Sequence, residues 1–323
     1  MALSWLFALL FVTSDGFNVQ HASVRVEVGG DYELHLYAPE RAGLFPVIFF
    51  VSGVSGDVPV TMYSDLLTRI VAEGYIVAGF DHLAFPSYPA QGQQFHDLLE
   101  WSKTGLVVAM RNQSLAATPD VLDRAAVMGQ SAGNHIVGQG LFDGCSVAKA
   151  LIMIDPVDGT DPFHIITSED LITVGSKLPF TIPSLLLDNT LDPVGKFLEP
   201  PCAPWALGSM RFYNAMAGPI FNVNATGYGH VDCVNDGFSE LVSSLLCPTD
   251  TSRPNDLYRA QLATSVTTFL GALFNSNQNA LTLFEDAANF NIEVTVKQDL
   301  KGLALEDIVP GCTHATYEAP VVI

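Results

Sequence analysis

The chain is poor in basic residues. Its 323 residues include 14 Lys and Arg against 34 Asp and Glu, a formal charge of −20. Such a surface repels nucleic-acid phosphates and anionic membranes, so a polyanionic partner is not expected, and the acidity reads first as solubility. Cysteines number only five, and none stands in a Cys-x-x-Cys or Cys/His spacing. No zinc site is therefore expected. No internal repeat and no low-complexity linker divides the chain. No stretch reaches the roughly 20 apolar residues that a membrane-spanning helix requires.

The longest apolar run is short and lies at the start, in "MALSWLFALLFVTSDG". It fits the apolar region of a secretory signal peptide, although no Lys or Arg precedes it. The expectation is a leader over residues 1–14, followed by one domain over 15–323 and an extracellular destination. Sequons at Asn112 ("NQS") and Asn224 ("NAT") agree with export. So do Cys145, Cys202, Cys233, Cys247 and Cys312, which suit one or two disulfides with at least one thiol left over. Their pairing is not readable from the sequence.

What is present is a regular alternation of buried strands and helices. "SVRVEVGG" (23–30) and "YELHLYAP" (32–39) alternate apolar and polar residues, as an antiparallel pair does. "FPVIFFVSG" (45–53) is a continuous apolar run, which suits a strand covered on both faces. A helical pattern follows over 62–75, then a strand over 75–81, a helix over 95–111 and a strand over 124–129. Beyond them come a helix over 132–142, strands over 149–156, 182–188 and 219–225, and a closing helix over 257–274. This succession predicts a mostly parallel, doubly wound α/β sheet with helices on both faces. The site is then expected at the carboxyl ends of its strands.

One of those strand ends carries "VMGQSAGNHI" (127–136). Ser131 lies between Gly129 and Gly133 where a strand turns directly into a helix. Such a turn crowds the serine and requires small residues two positions away on each side. It lifts the hydroxyl to the helix N-terminus, where developing negative charge is favoured. A serine hydroxyl needs a base to become nucleophilic. Of the eight histidines, His21, His35 and His82 are among those that precede the serine, His135 lies on its own helix, His164 follows the acid candidates directly, and His314 lies past the closing helix. His230, in "GYGHVD", follows the last expected core strand and is the candidate base.

The acid that orients the imidazole has two candidate locations. Asp155 and Asp158 lie in "IMIDPVDG"; Asp188 and Asp192 lie in "LLLDNTLDP". Strand order alone slightly favours the later pair. An oxyanion hole needs backbone N–H groups. Ala132, just after the nucleophile, and Val54, in the Gly-rich "SGVSGD" loop, are the candidates.

Several of these stretches together resemble the chlorophyllase family of serine esterases: "YSDLLTRIVAEGYIV", "LEWSKTGL", "IDPVDG", "PPCAP" and "GYGHVD". The similarity is collinear from about Phe45 to Phe274. The resemblance implies an α/β-hydrolase fold, a metal-free and cofactor-free Ser–Asp–His triad, and cleavage of the phytyl ester of chlorophyll. Carried over by motif, the nucleophile is Ser131, the base His230 and the acid Asp155, with Asp188 and Asp192 as alternatives. The family elbow reads Gly-His-Ser-Arg-Gly-Gly, whereas this chain has Gly-Gln-Ser-Ala-Gly-Asn. Gln130, Ala132 and Asn134 leave ester hydrolysis intact but speak against chlorophyll itself as the substrate. A small apolar ester is the expected ligand, and a lipase- or polyester-hydrolase-like esterase or a catalytically lapsed binding protein are the competing readings. The "MYSDLL" region and the 163–180 segment are candidates to cap an apolar pocket.

Overall fold

The computed structural model describes residues 16–82, 88–142, 144–159, 170–195, 201–237, 239–240 and 247–314. The leader region 1–14 and His164 lie outside the described residues, as do Pro200 of the "PPCAP" motif and residues 163–169 of the candidate capping segment. Nine strands form one sheet: β1 (Val19–Glu27), β2 (Asp31–Pro39), β3 (Val47–Val51), β4 (Ile76–His82), β5 (Ala125–Gln130), β6 (Ala150–Ile154), β7 (Ser184–Asn189), β8 (Ile220–Ala225) and β9 (Val294–Asp299). Their spatial order is β1-β2-β4-β3-β5-β6-β7-β8-β9. The pairings from β4 through β8 are all parallel, while β1–β2, β2–β4 and β8–β9 are antiparallel.

Every residue of β3, β5, β6 and β7 is buried, which explains why these strands read as apolar runs rather than as alternating ones. Side chains on successive strand residues go to opposite faces. Ile48 and Phe50 therefore join one core with α1 (Ser64–Ala72) and α5 (Asn255–Phe274), whereas Val47, Phe49 and Val51 join the other. That second core is built on α2 (Tyr88–Asn112), α3 (Gly133–Phe142) and α4 (Ser209–Ala215). Helices thus cover both faces of a mostly parallel sheet entered through an antiparallel pair. This is the α/β-hydrolase arrangement.

The expected helix over 62–75 is shorter, at Ser64–Ala72, after a single 3-10 turn over Val60–Tyr63. Its start does not cap a pocket. Tyr63, Leu66 and Leu67 are at most 1% exposed and pack in the core. The antiparallel strand β9 and helix α4 were not visible as elements in the sequence. Cys145 is joined to Cys312, and Cys202 to Cys247, leaving Cys233 as a buried free thiol.

Candidate active site

The elbow is built as its glycines require. Ser131 has φ 53°, a left-handed backbone that L-residues seldom adopt. A Cβ on Gly129 would come within 2.6 Å of Asn134 Oδ1 and 2.7 Å of the Asn134 backbone nitrogen. One on Gly133 would meet the carbonyl oxygens of Val51 and Ser52 at 2.4 and 2.5 Å. Neither position can take a larger residue without moving backbone. The Ser131 N–H donates to Ile154 O at 3.0 Å, so the turn is tied to the end of β6.

His230 Nε2 lies 2.7 Å from Ser131 Oγ, the distance of a hydrogen bond from hydroxyl to imidazole. The other ring nitrogen, Nδ1, lies 3.5 Å from Asp192 Oδ2. Asp155 belongs to the same cluster. Ligand-type atoms of Asp155, Asp192 and His230 lie within 4.8 Å of one another, the group among the described residues that could hold an ion. With Nε2 already at Ser131, such an ion would have to use Nδ1 and the two carboxylates.

Both carboxylates arrive from neighbouring parallel strands. Asp155 directly follows β6, with φ 43°, and Asp192 lies three residues past the end of β7. Asn189 holds Asp155 in place. Its Nδ2 lies 2.9 Å from each Asp155 oxygen, 2.8 Å from Tyr258 Oη and 3.3 Å from Gly229 O. Its two amide hydrogens thus connect Asp155 to the base loop and to α5. Burial, followed by the nearby charge of Asp192, holds the Asp155 carboxyl well above the usual carboxylate range.

The remaining acid candidates are engaged elsewhere. Asp158 pairs with Arg211 Nε at 2.9 Å, lies 3.0 Å from His135 Nδ1, and accepts the N–H groups of Leu171 and Ile172. Asp188 accepts from Asn222 Nδ2 at 2.8 Å, and burial pushes its carboxyl up to about 7. The base loop is braced by Asp232, which accepts the Gly229 N–H at 2.8 Å and the Thr249 hydroxyl at 2.7–2.8 Å. Sequence reasoning singled out neither Asn189 nor Asp232. Their positions beside the candidate acid and base are the only sequence signal they carry.

The Gly-rich loop after β3 turns through Val54 and Ser55, at φ 51° and 58°. A β-branched residue in the left-handed region is a genuine outlier, and such strain gathers at functional sites. The Val54 side chain is 52% exposed, whereas Ala132 is buried. Neither N–H donates a hydrogen bond within the described chain. Both therefore remain available to an external acceptor.

The unusual residues of the elbow lie inside the protein. Gln130, Ala132 and Asn134 are 2–3% exposed. Asn134 Nδ2 donates to Ser131 O and Ile154 O at 3.2 and 3.1 Å, and Gln130 bonds to Tyr63 and to the His230 carbonyl. The polar side chains of Gln130 and Asn134 are thus engaged inside the protein. Of the two sequons, Asn112 is exposed at the end of α2. Asn224 lies in β8 between two paired strands, with its Oδ1 buried.

The sequence model of the chlorophyllase family matches residues 13–298. Chlorophyllase-1 of Arabidopsis thaliana is 26% identical over 239 residues, covering 69% of this chain and 71% of its own. Chlorophyllase-2 of the same plant is 26% identical over 281 residues, covering 82% and 85%. Chlorophyllase type 0 of Chenopodium album is 26% identical over 286 residues, covering 81% and 78%. Members of this family are carboxylic ester hydrolases. With the match running from before β1 to the end of β9, on a sheet of α/β-hydrolase order, the chain belongs to the chlorophyllase family.

Proposed function

We propose that the chain is a serine carboxylesterase that works through an acyl-enzyme on Ser131. The observation that carries this reading is the 2.7 Å contact between His230 Nε2 and Ser131 Oγ at a strained strand-to-helix turn. His230 takes the hydroxyl proton as Oγ attacks the ester carbonyl, then delivers it to the leaving alcohol. The oxyanion that forms is met by the N–H groups of Ala132 and Val54. Asp155 and Asp192 together face the far side of the imidazole and offset its positive charge. The relatives' names make the phytyl ester of chlorophyll the first substrate to test, with other apolar esters as the broader class. A lapsed, merely binding protein is disfavoured because the nucleophile–base contact is intact.

The test is hydrolysis of p-nitrophenyl esters of graded acyl length, and of chlorophyll a, by wild type and by Ser131→Ala. Wild type is expected to turn over at least the short esters. The alanine variant is expected to lose activity by about 10⁵-fold or more, as other serine hydrolases do on losing the nucleophile. Full activity in Ser131→Ala, or no turnover of any ester by wild type, would reject the reading.

A further inference from the structure

Three buried hydrogen bonds run in series from the oxyanion loop to the base loop, through residues with no direct part in the chemistry. The Gly53 N–H donates to Tyr63 Oη at 3.1 Å. The Tyr63 hydroxyl donates to Gln130 Oε1 at 2.8 Å, and Gln130 Nε2 donates to the His230 carbonyl at 3.1 Å. Tyr63 is 1% exposed and Gln130 3%. Each direction is forced. A phenol that accepts from a backbone N–H has its own hydrogen free to give onward. An amide that accepts on oxygen and faces a carbonyl must present its nitrogen there. The amide orientation is thus fixed at both ends.

The contact is also tight. A Cβ on Gly53 would sit 2.4 Å from Gln130 Oε1 and 3.1 Å from Tyr63 Oη, so the loop lies directly against this pair. Val54, which follows Gly53, carries one of the two unpartnered N–H groups beside the nucleophile. His230 itself carries the imidazole. The two loops come from the ends of β3 and β8, which are not neighbours in the sheet. Gln130, last residue of β5, bridges them.

We infer that Tyr63 and Gln130 form a strut that holds the Val54 N–H and the His230 imidazole in register around Ser131. They are positioning residues for the transition state rather than substrate contacts. The inference rests on the serine-esterase reading above. An oxyanion exists only after attack, so a slackened loop weakens the transition state more than the bound ester. A displacement of about 1 Å at such a site is enough to cost on the order of 100-fold.

The experiment compares wild type, Tyr63→Phe, Gln130→Leu, the double variant and Gln130→His on p-nitrophenyl butyrate, with far-UV circular dichroism to confirm folding. Either single change is expected to lower kcat at least tenfold with KM within twofold. The affinity for a trifluoromethyl ketone, whose serine adduct bears an oxyanion, should fall by a matching factor. The double variant should be no worse than the worse single one, because the bonds act in series. Gln130→His, whose imidazole offers one donor and one acceptor, should recover part of the loss. It also decides the matter if the leucine variant does not fold. Folded variants with kcat within twofold of wild type, or with inhibitor affinity unchanged while kcat falls, overturn the strut. If Ser131→Ala is inactive in the same assay, that result leaves the esterase reading standing; if Ser131→Ala remains active, the esterase reading itself fails.

Discussion

At the scale of single residues, the site presents more acid than a serine hydrolase requires. Asp155 and Asp192 both reach the His230 cluster. Two buried carboxylates so close repel each other when both are charged, which adds to burial in holding the Asp155 carboxyl above the usual carboxylate range. The Asn189 amide, 2.9 Å from both Asp155 oxygens, fixes that side of the pair. If the pair serves the imidazole as a unit, Asp155→Asn and Asp192→Asn each leave one carboxylate to carry the charge. Each single change should then lower kcat by about 10–100-fold, and the double change should approach the roughly 10⁴-fold loss known for removal of a triad aspartate. Steady-state kinetics on a p-nitrophenyl ester settle it. A single variant as damaged as the double one, with the other unaffected, would assign the acid role to one residue alone.

At the scale of elements, the loops after β7 and β8 are clamped to each other. The Ala203 N–H donates to Asp192 O, and Cys202 is bonded to Cys247, which lies two residues before Thr249. Thr249 in turn holds Asp232, which caps Gly229 next to the base. One covalent link therefore braces the acid loop and the base loop together. Replacing Cys202 and Cys247 by Ala should destabilise the protein by about 2–4 kcal/mol in denaturant unfolding. It should also lower kcat, since both loops meet at His230. Stability lost with kcat unchanged would show that the clamp has no part in the site. These elements also show what the sequence discloses. Buried strands such as "VIFFV" announce themselves, because burial on both faces demands a continuous apolar run. The elbow is legible too, because its two glycines answer a local steric need. The acid is not, since the ends of β6 and β7 are adjacent in the sheet and spacing along the chain cannot say which carboxylate turns toward the ring. The strut is hidden for a similar reason, its partners being 67 and 100 residues from Gln130. Strand β9 escaped because only its first residue is buried.

For the molecule as a whole, the sheet gathers ionisable groups at its carboxyl edge and buries them together. Asp155, Asp188 and Asp232 are all displaced upward, in each case first by burial. Among the described residues the buried Arg259 opposes that shift at Asp232, in a chain whose formal charge is −20. Asp188 gives the most direct measure of what this costs. Its carboxyl moves from 3.8 to about 7 on folding. Between those pH values the folded state keeps a proton that the unfolded chain has released, so stability falls as pH rises. The contribution is fully present below 3.8 and is gone once pH passes through about 7. With one pH unit worth about 1.4 kcal/mol, the loss at neutral pH is at most about 4 kcal/mol. Asp188→Asn removes the titration while keeping an oxygen for the Asn222 amide, which donates to it at 2.8 Å. Thermal unfolding of both proteins from pH 5 to 8 should show the variant gaining on wild type up to about pH 7 and levelling off above it. If the two curves instead run parallel across that range, Asp188 is already ionised in the folded state, and the carboxyl edge of the sheet is less costly at neutral pH than its burial implies.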